Sequence, residues 1–191
     1  MRSLLLASTL IAIAFSASAL PGAAEAAAGS APTGWTMRTF DIYDRDDLRK
    51  PVEERRVDYS GVIVHTADAS QPGALFSCSK EKGLSVMYSF APVDFADTDY
   101  FTSSNQVRGM GGRLIVDGER PRNAHRFLYR GKLNVAQTAS ADIAYDTIDA
   151  LYAGKEIAVE VGGLKPVAIS LPDPDDTFRS FVAACPAFAS E

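Results

Sequence analysis

Residues 83–90 read Gly83-Leu84-Ser85-Val86-Met87-Tyr88-Ser89-Phe90, and their alternation decides the fold class. Successive side chains of an extended chain point to opposite faces, so Leu84, Val86, Tyr88 and Phe90 share one side of a strand. The same period of two holds upstream. Val62, Val64 and Thr66 oppose Ile63 and His65, Gln71-Pro72-Gly73 supplies turn chemistry, and Leu75–Cys78 resumes the extended pattern. Downstream, Arg113–Val116 leads into an Asp117-Gly118 turn. Phe127, Tyr129, Leu133 and Val135 alternate with Arg126, Arg130, Lys132 and Asn134, predicting one further half-buried strand. Lys155–Val161 and Val167–Leu171 read as two more, the second ended by Pro172 and Pro174. Gly109-Met110-Gly111-Gly112 lacks the glycine spacing of a phosphate loop and is predicted to be a turn or bulge.

Two segments break this period. Ala141–Ala153 places Ala144, Ile148, Leu151 and Tyr152 in one helical stripe, with Ser140 before it and Gly154 just after. Near the end, Phe178, Phe181, Val182 and Cys185 follow helical spacing behind Asp175 or Asp176 as the N-cap. The expected fold is therefore mainly β (α+β), an antiparallel β-sandwich-like domain over residues 57–191 with two short helices. Residues 27–56 read as a linker and an irregular N-terminal arm, in which Asp41, Asp44, Asp46 and Asp47 alternate with bases as a solvated charged segment.

Residues 1–26 have another purpose. Arg2 precedes the apolar run Leu4–Phe15, and small-residue cleavage signals follow at Ala17-Ser18-Ala19 and Ala24-Glu25-Ala26, the layout of a secretory signal peptide. Pro21-Gly22 interrupts the run before the roughly 20 apolar residues that span a bilayer. Cleavage after Ala19 or Ala26 predicts a periplasmic or secreted protein. Removing residues 1–26 takes away one base and one acid, so the net charge of −5 is unchanged.

Export gives the two cysteines their meaning. In an oxidising compartment Cys78 and Cys185 are expected to form a disulfide. Such a bridge ties the last helix to an early strand and closes a loop of about 108 residues.

Candidate chemistry is sparse. The chain has two histidines and two cysteines, too few for a zinc site built from those ligands, and no EF-hand spacing is present, so no metal or cofactor is expected. A hydrolase would have to use His65 or His125, but no Gly-x-Ser-x-Gly elbow accompanies either. The acidic balance argues against a nucleic-acid partner. One segment runs against that balance: Arg108, Arg113, Arg120, Arg122, Arg126, Arg130 and Lys132 face only Asp117 and Glu119. Arg113, Arg120, Arg122, Arg126, Arg130 and Lys132 are therefore candidate residues for an anionic or protein partner.

Trp35, Phe76-Ser77-Cys78, Ile115–Gly118, Ala150-Leu151 with Gly154-Lys155, and the closing Phe178–Cys185 stand in an order that resembles the small exported proteobacterial proteins of the invasion-associated locus B family. The resemblance covers roughly residues 35–186. It implies a β-sandwich-like exported domain with an envelope or host-interaction role and carries no catalytic residues. The expected function is accordingly a non-enzymatic exported binding or envelope-accessory protein, contacting a protein or an anionic envelope component. An inhibitor of a secreted or host hydrolase, acting through loop 92–106, is the alternative, and a His65 or His125 hydrolase is the second.

Overall fold

The computed structural model describes residues 34–96, 107–138 and 140–188. The leader, the 27–33 part of the linker and most of loop 92–106, including Asp97 and Asp99, lie outside the described residues. Among the described residues nine strands form one antiparallel sheet: β1 (Trp35–Tyr43), β2 (Val57–Thr66), β3 (Ala74–Ser79), β4 (Gly83–Ser89), β5 (Val107–Val116), β6 (His125–Arg130), β7 (Val135–Thr138), β8 (Ile157–Val161) and β9 (Val167–Ala168). Their spatial order is β1-β2-β3-β4-β7-β6-β5-β8-β9. Two helices, α1 (Ala141–Tyr152) and α2 (Asp176–Ala184), cover one face. α1 packs over β4, β5 and β7, and α2 over β1 and β2.

The alternation of β4 sets the core. Leu84, Val86 and Tyr88 point at the helices and join Val64, Phe76, Phe127, Ile148 and Phe178 in the main hydrophobic cluster. The Tyr88 hydroxyl donates to Thr147 Oγ1 at 2.6 Å, and Thr147 in turn donates to the Ile143 carbonyl at 2.6 Å. This chain satisfies a phenol that would otherwise be buried unpaired, and burial pushes its pKa up. The opposite face of β2, β3, β4 and β7 is covered as well. Ile63, Leu75, Met87 and Val135 form a second cluster beneath Phe95. The sequence pattern predicts one buried face for β4, whereas both are closed.

Cys78 and Cys185 are joined by a disulfide with Cα atoms 5.5 Å apart. Cys78 lies in β3, and Cys185 is the C-cap of α2. The N-cap is Asp175, whose Oδ1 accepts from the Phe178 amide at 2.9 Å. Its other oxygen accepts from the Trp35 amide at 3.3 Å, and Trp35 Nε1 donates to the carbonyls of Pro172 and Asp173. The last helix is thus held at one end by hydrogen bonds to β1 and at the other by sulfur to β3.

The sequence expectations need four further corrections. The expected irregular arm contains β1, a nine-residue strand paired with β2 along its whole length. Its aromatic and β-branched residues carry strand propensity that the neighbouring charges obscured. The acids after it are not all solvated: Asp47 is 2% exposed and bridges Lys50 and Arg56, whose cations hold its pKa far down. Gly109–Gly112 is no turn but the middle of β5. A Cβ at Gly112 would lie 2.6 Å from the Phe127 ring and 2.7 Å from the Glu160 carbonyl, so close strand approach explains that glycine. Finally, Phe127–Val135 is not one strand. β6 stops at Arg130 and reverses through Gly131–Asn134, with Asn134 in the left-handed region at φ 52°.

Candidate functional site

Strand parity sorts the bases of the β5–β6 ribbon. Gly111 pairs with Arg126, Gly109 with Leu128 and Val107 with Arg130, placing Arg126 and Arg130 on the face away from the helices. The intervening Phe127 and Tyr129 turn toward the core. Arg113 is on the outer face too, opposite Glu160 of β8. Arg120 and Arg122 belong to the β5–β6 connection, and Lys132 to the β6–β7 turn. Of Arg126, Arg130 and Lys132, which the alternation places on one outward strand face, Arg126 and Arg130 share that face of β6 and Lys132 lies in the turn after it.

Two of the six candidate bases are spent internally. Glu160 Oε1 accepts from Arg120 at 2.7 Å and from Arg113 at 3.5 Å, and the Arg113 Nε also donates to the Pro121 carbonyl at 3.1 Å. Glu160 is 6% exposed, and a carboxylate so buried requires cationic partners. These two arginines hold the β5–β6 connection onto β8. By contrast, Arg122, Arg126 and Lys132 are exposed and make no salt bridge among the described residues. Arg126 has a defined place: its guanidinium lies over Gly109, close enough that a Cβ there would meet Nε and one terminal nitrogen at 3.3 Å. No sequence signal identified this pairing, because Gly109 and Arg126 come together only through strand register.

The two histidines are on opposite faces of the sheet. His65, on β2, is 3% exposed and packs against Phe95 at a ring distance of 5.9 Å. Its Nδ1 donates to the Thr66 carbonyl at 2.9 Å, leaving Nε2 as a buried acceptor without a partner among the described residues. Burial lowers its pKa below the usual imidazole value, and Arg38 pushes in the same direction, while the Thr66 hydrogen bond and Asp94 oppose both. His125, on β6, lines a cleft of about 570 Å³ against α1, together with Arg120, Asp146, Asp149 and Lys155. Neither histidine has a serine or threonine hydroxyl hydrogen-bonded to it among the described residues.

A neutral, buried His65 has a thermodynamic consequence. Because its pKa is lower folded than unfolded, the unfolded chain takes up the proton first as pH falls through about 6.5. Unfolding free energy is therefore expected to decline between pH 7.5 and 5.5, and His65→Leu to flatten that decline. Chemical denaturation at several pH values measures it. An unchanged slope in His65→Leu would show that other groups carry the pH dependence.

Among the described residues no helix is long and apolar enough to cross a membrane, and no three potential metal ligands cluster. No family model, curated protein or solved structure matches the chain.

Proposed function

We propose that the mature chain is an exported binding module, not an enzyme, and that the β5–β6 ribbon contacts an anionic component of the envelope. The observation that carries this reading is the division of labour among the bases. Arg113 and Arg120 are paired to Glu160, while Arg122, Arg126 and Lys132 remain exposed and make no salt bridge among the described residues. A protein with a net charge of −5 thus keeps a local positive surface. The leader at residues 1–26 and the disulfide support an address outside the cytoplasm. The order of short motifs like that of the invasion-associated locus B proteins supports an envelope or host-interaction role. Loop 92–106, which the inhibitor reading requires, lies mostly outside the described residues.

The test uses an anionic chromatography matrix. Despite its net charge, the mature protein at pH 7 and low salt is expected to be retained on sulfonate resin and to elute as the Debye length falls to about 10 Å near 0.1 M salt. Arg126→Glu with Lys132→Glu should pass straight through. A wild-type protein that is not retained, or a double variant that still is, overturns the assignment of the ribbon.

A further inference from the structure

The face of the sheet away from the helices changes character along its strands. Beneath Phe95 it is apolar, where Ile63, Leu75, Met87 and Val135 pack together. The next outward positions are polar: Ser77 and Ser79 follow Leu75 on β3, Ser85 precedes Met87 on β4, and Gln137 follows Val135 on β7. Together with Phe40, Tyr59 and Lys82 they line a cavity of about 240 Å³. Gly61 makes room for its aromatic wall. A Cβ there would lie 2.8 Å from the Phe40 ring, which stands edge-on to Tyr59 at 6.2 Å.

The floor of this cavity is buried and holds unused donors. Ser77 is 8% exposed and Ser79 3%. Ser77 and Ser85 share one hydrogen bond between their hydroxyls at 2.8 Å, so whichever accepts keeps its own hydrogen without an acceptor among the described residues. Ser79 Oγ accepts from the Lys82 amide at 3.0 Å, and its hydrogen likewise has no acceptor there. The half-buried Gln137 carboxamide makes no hydrogen bond among the described residues. Polar groups this well buried are normally paired, because leaving them unpaired costs free energy. The rim is of mixed charge. Lys82 Nζ lies 5.3 Å from the Tyr59 ring centre, while Asp58 and Glu81 bring negative charge to the same ring.

We infer that this cavity is a subsite for one neutral sugar ring. A pyranose carries what the walls call for: oxygens that accept from the serine hydroxyls, hydroxyls that pair both ways with a carboxamide, and a C–H face that packs on aromatic side chains. An apolar guest of the same size would leave the donors unpaired. An anion would meet Asp58 and Glu81 as well as Lys82. The volume is just below the roughly 300–1,000 Å³ of sites for drug-sized ligands, which suits a single ring. This inference goes beyond the anionic-partner reading, and the cavity uses none of the ribbon bases.

The experiment titrates the mature protein with glucose, galactose, mannose, N-acetylglucosamine, glucuronate and phenol, following amide NMR signals. Expected is saturable movement of the Ser77, Ser79 and Ser85 backbone amides and the Gln137 side-chain amide with at least one neutral sugar. Gln137→Ala and Ser85→Ala should each weaken that sugar about fivefold, the value of one neutral hydrogen bond. Ser85→Leu, which fills the cavity, should abolish binding, and Arg126→Glu with Lys132→Glu should leave it unchanged. Thermal unfolding of each variant checks the fold, and the alanine variants keep the series decisive if leucine unfolds the strand. No saturable shift with any neutral sugar, shifts confined to other residues, or alanine variants that bind like wild type would overturn the subsite. Phenol binding in place of the sugars, or glucuronate binding more than tenfold tighter than glucose, would overturn its assignment to a neutral ring. Retention on sulfonate resin without sugar binding overturns this inference and leaves the anionic reading standing, and the reverse result overturns that reading alone.

Discussion

Reduction of the Cys78–Cys185 bridge is expected to lower the unfolding free energy by about 4–5 kcal/mol, the chain-entropy value for a loop of this size. The bridge spans a separation of 107 residues, from the third strand to the end of the last helix. Both half-cystines are 1% exposed, so reduction leaves two small apolar thiols in the core and adds little cost in the folded state. The loss therefore measures the freedom returned to the unfolded chain. Against a typical domain stability of about 5–15 kcal/mol, it moves the reduced protein toward the margin. Guanidinium unfolding with and without reductant gives the value, and a Cys78→Ala, Cys185→Ala double variant serves as the non-reducible comparison. A shift below about 1 kcal/mol would mean that the bridge constrains an unfolded ensemble already compact.

Phe178→Ala is expected to cost about 3–5 kcal/mol, the range for removing a buried phenylalanine ring. Phe178 is fully buried on α2. Its ring centroid lies 4.5 Å from Trp35, 5.6 Å from Phe76 in an edge-on arrangement, 6.1 Å from Phe181 and 6.1 Å from Tyr152. One side chain thus joins β1, β3, α1 and α2, and no neighbour can refill that volume without leaving its own position. The chain has a single tryptophan, so the variant has a built-in reporter. Truncating Phe178 should shift Trp35 emission to the red as water reaches the indole, together with the fall in denaturation midpoint. A loss under about 1 kcal/mol with unchanged emission would refute the claim that this aromatic contact fastens the helix. Because the disulfide holds the same helix, reduction and Phe178→Ala should combine non-additively.

Much of the architecture was legible because one physical rule generates it. Leu84, Val86 and Tyr88 had to share a face once the segment was extended, and the helical spacing of Phe178, Phe181 and Cys185 put the last half-cystine against the sheet. Legibility failed where two signals competed. In Trp35–Tyr43 the charges immediately following masked a strand. In Gly109–Gly112 a glycine cluster that usually means a turn was accommodating Phe127, Glu160 and Arg126. At Gly131–Asn134 a hairpin reversed the chain without breaking the alternation of apolar residues around it, although Gly131 and Asn134 were a usable turn signal.

The candidate site shows the same division. Composition along residues 108–132 revealed an excess of bases, and it could do no more, since charge counts carry no register. Which bases face outward, that Glu160 pairs with Arg113 and Arg120, and that Gly109 lies under Arg126 all depend on pairings between residues far apart in the chain. Local periodicity, turn chemistry and the cysteine pair are properties of neighbours and compartment, so they could be read from the chain alone. Neighbourhood across strands arises only when the sheet closes and sets one strand against another, and the exposed face that carries Arg126 is a product of that closure.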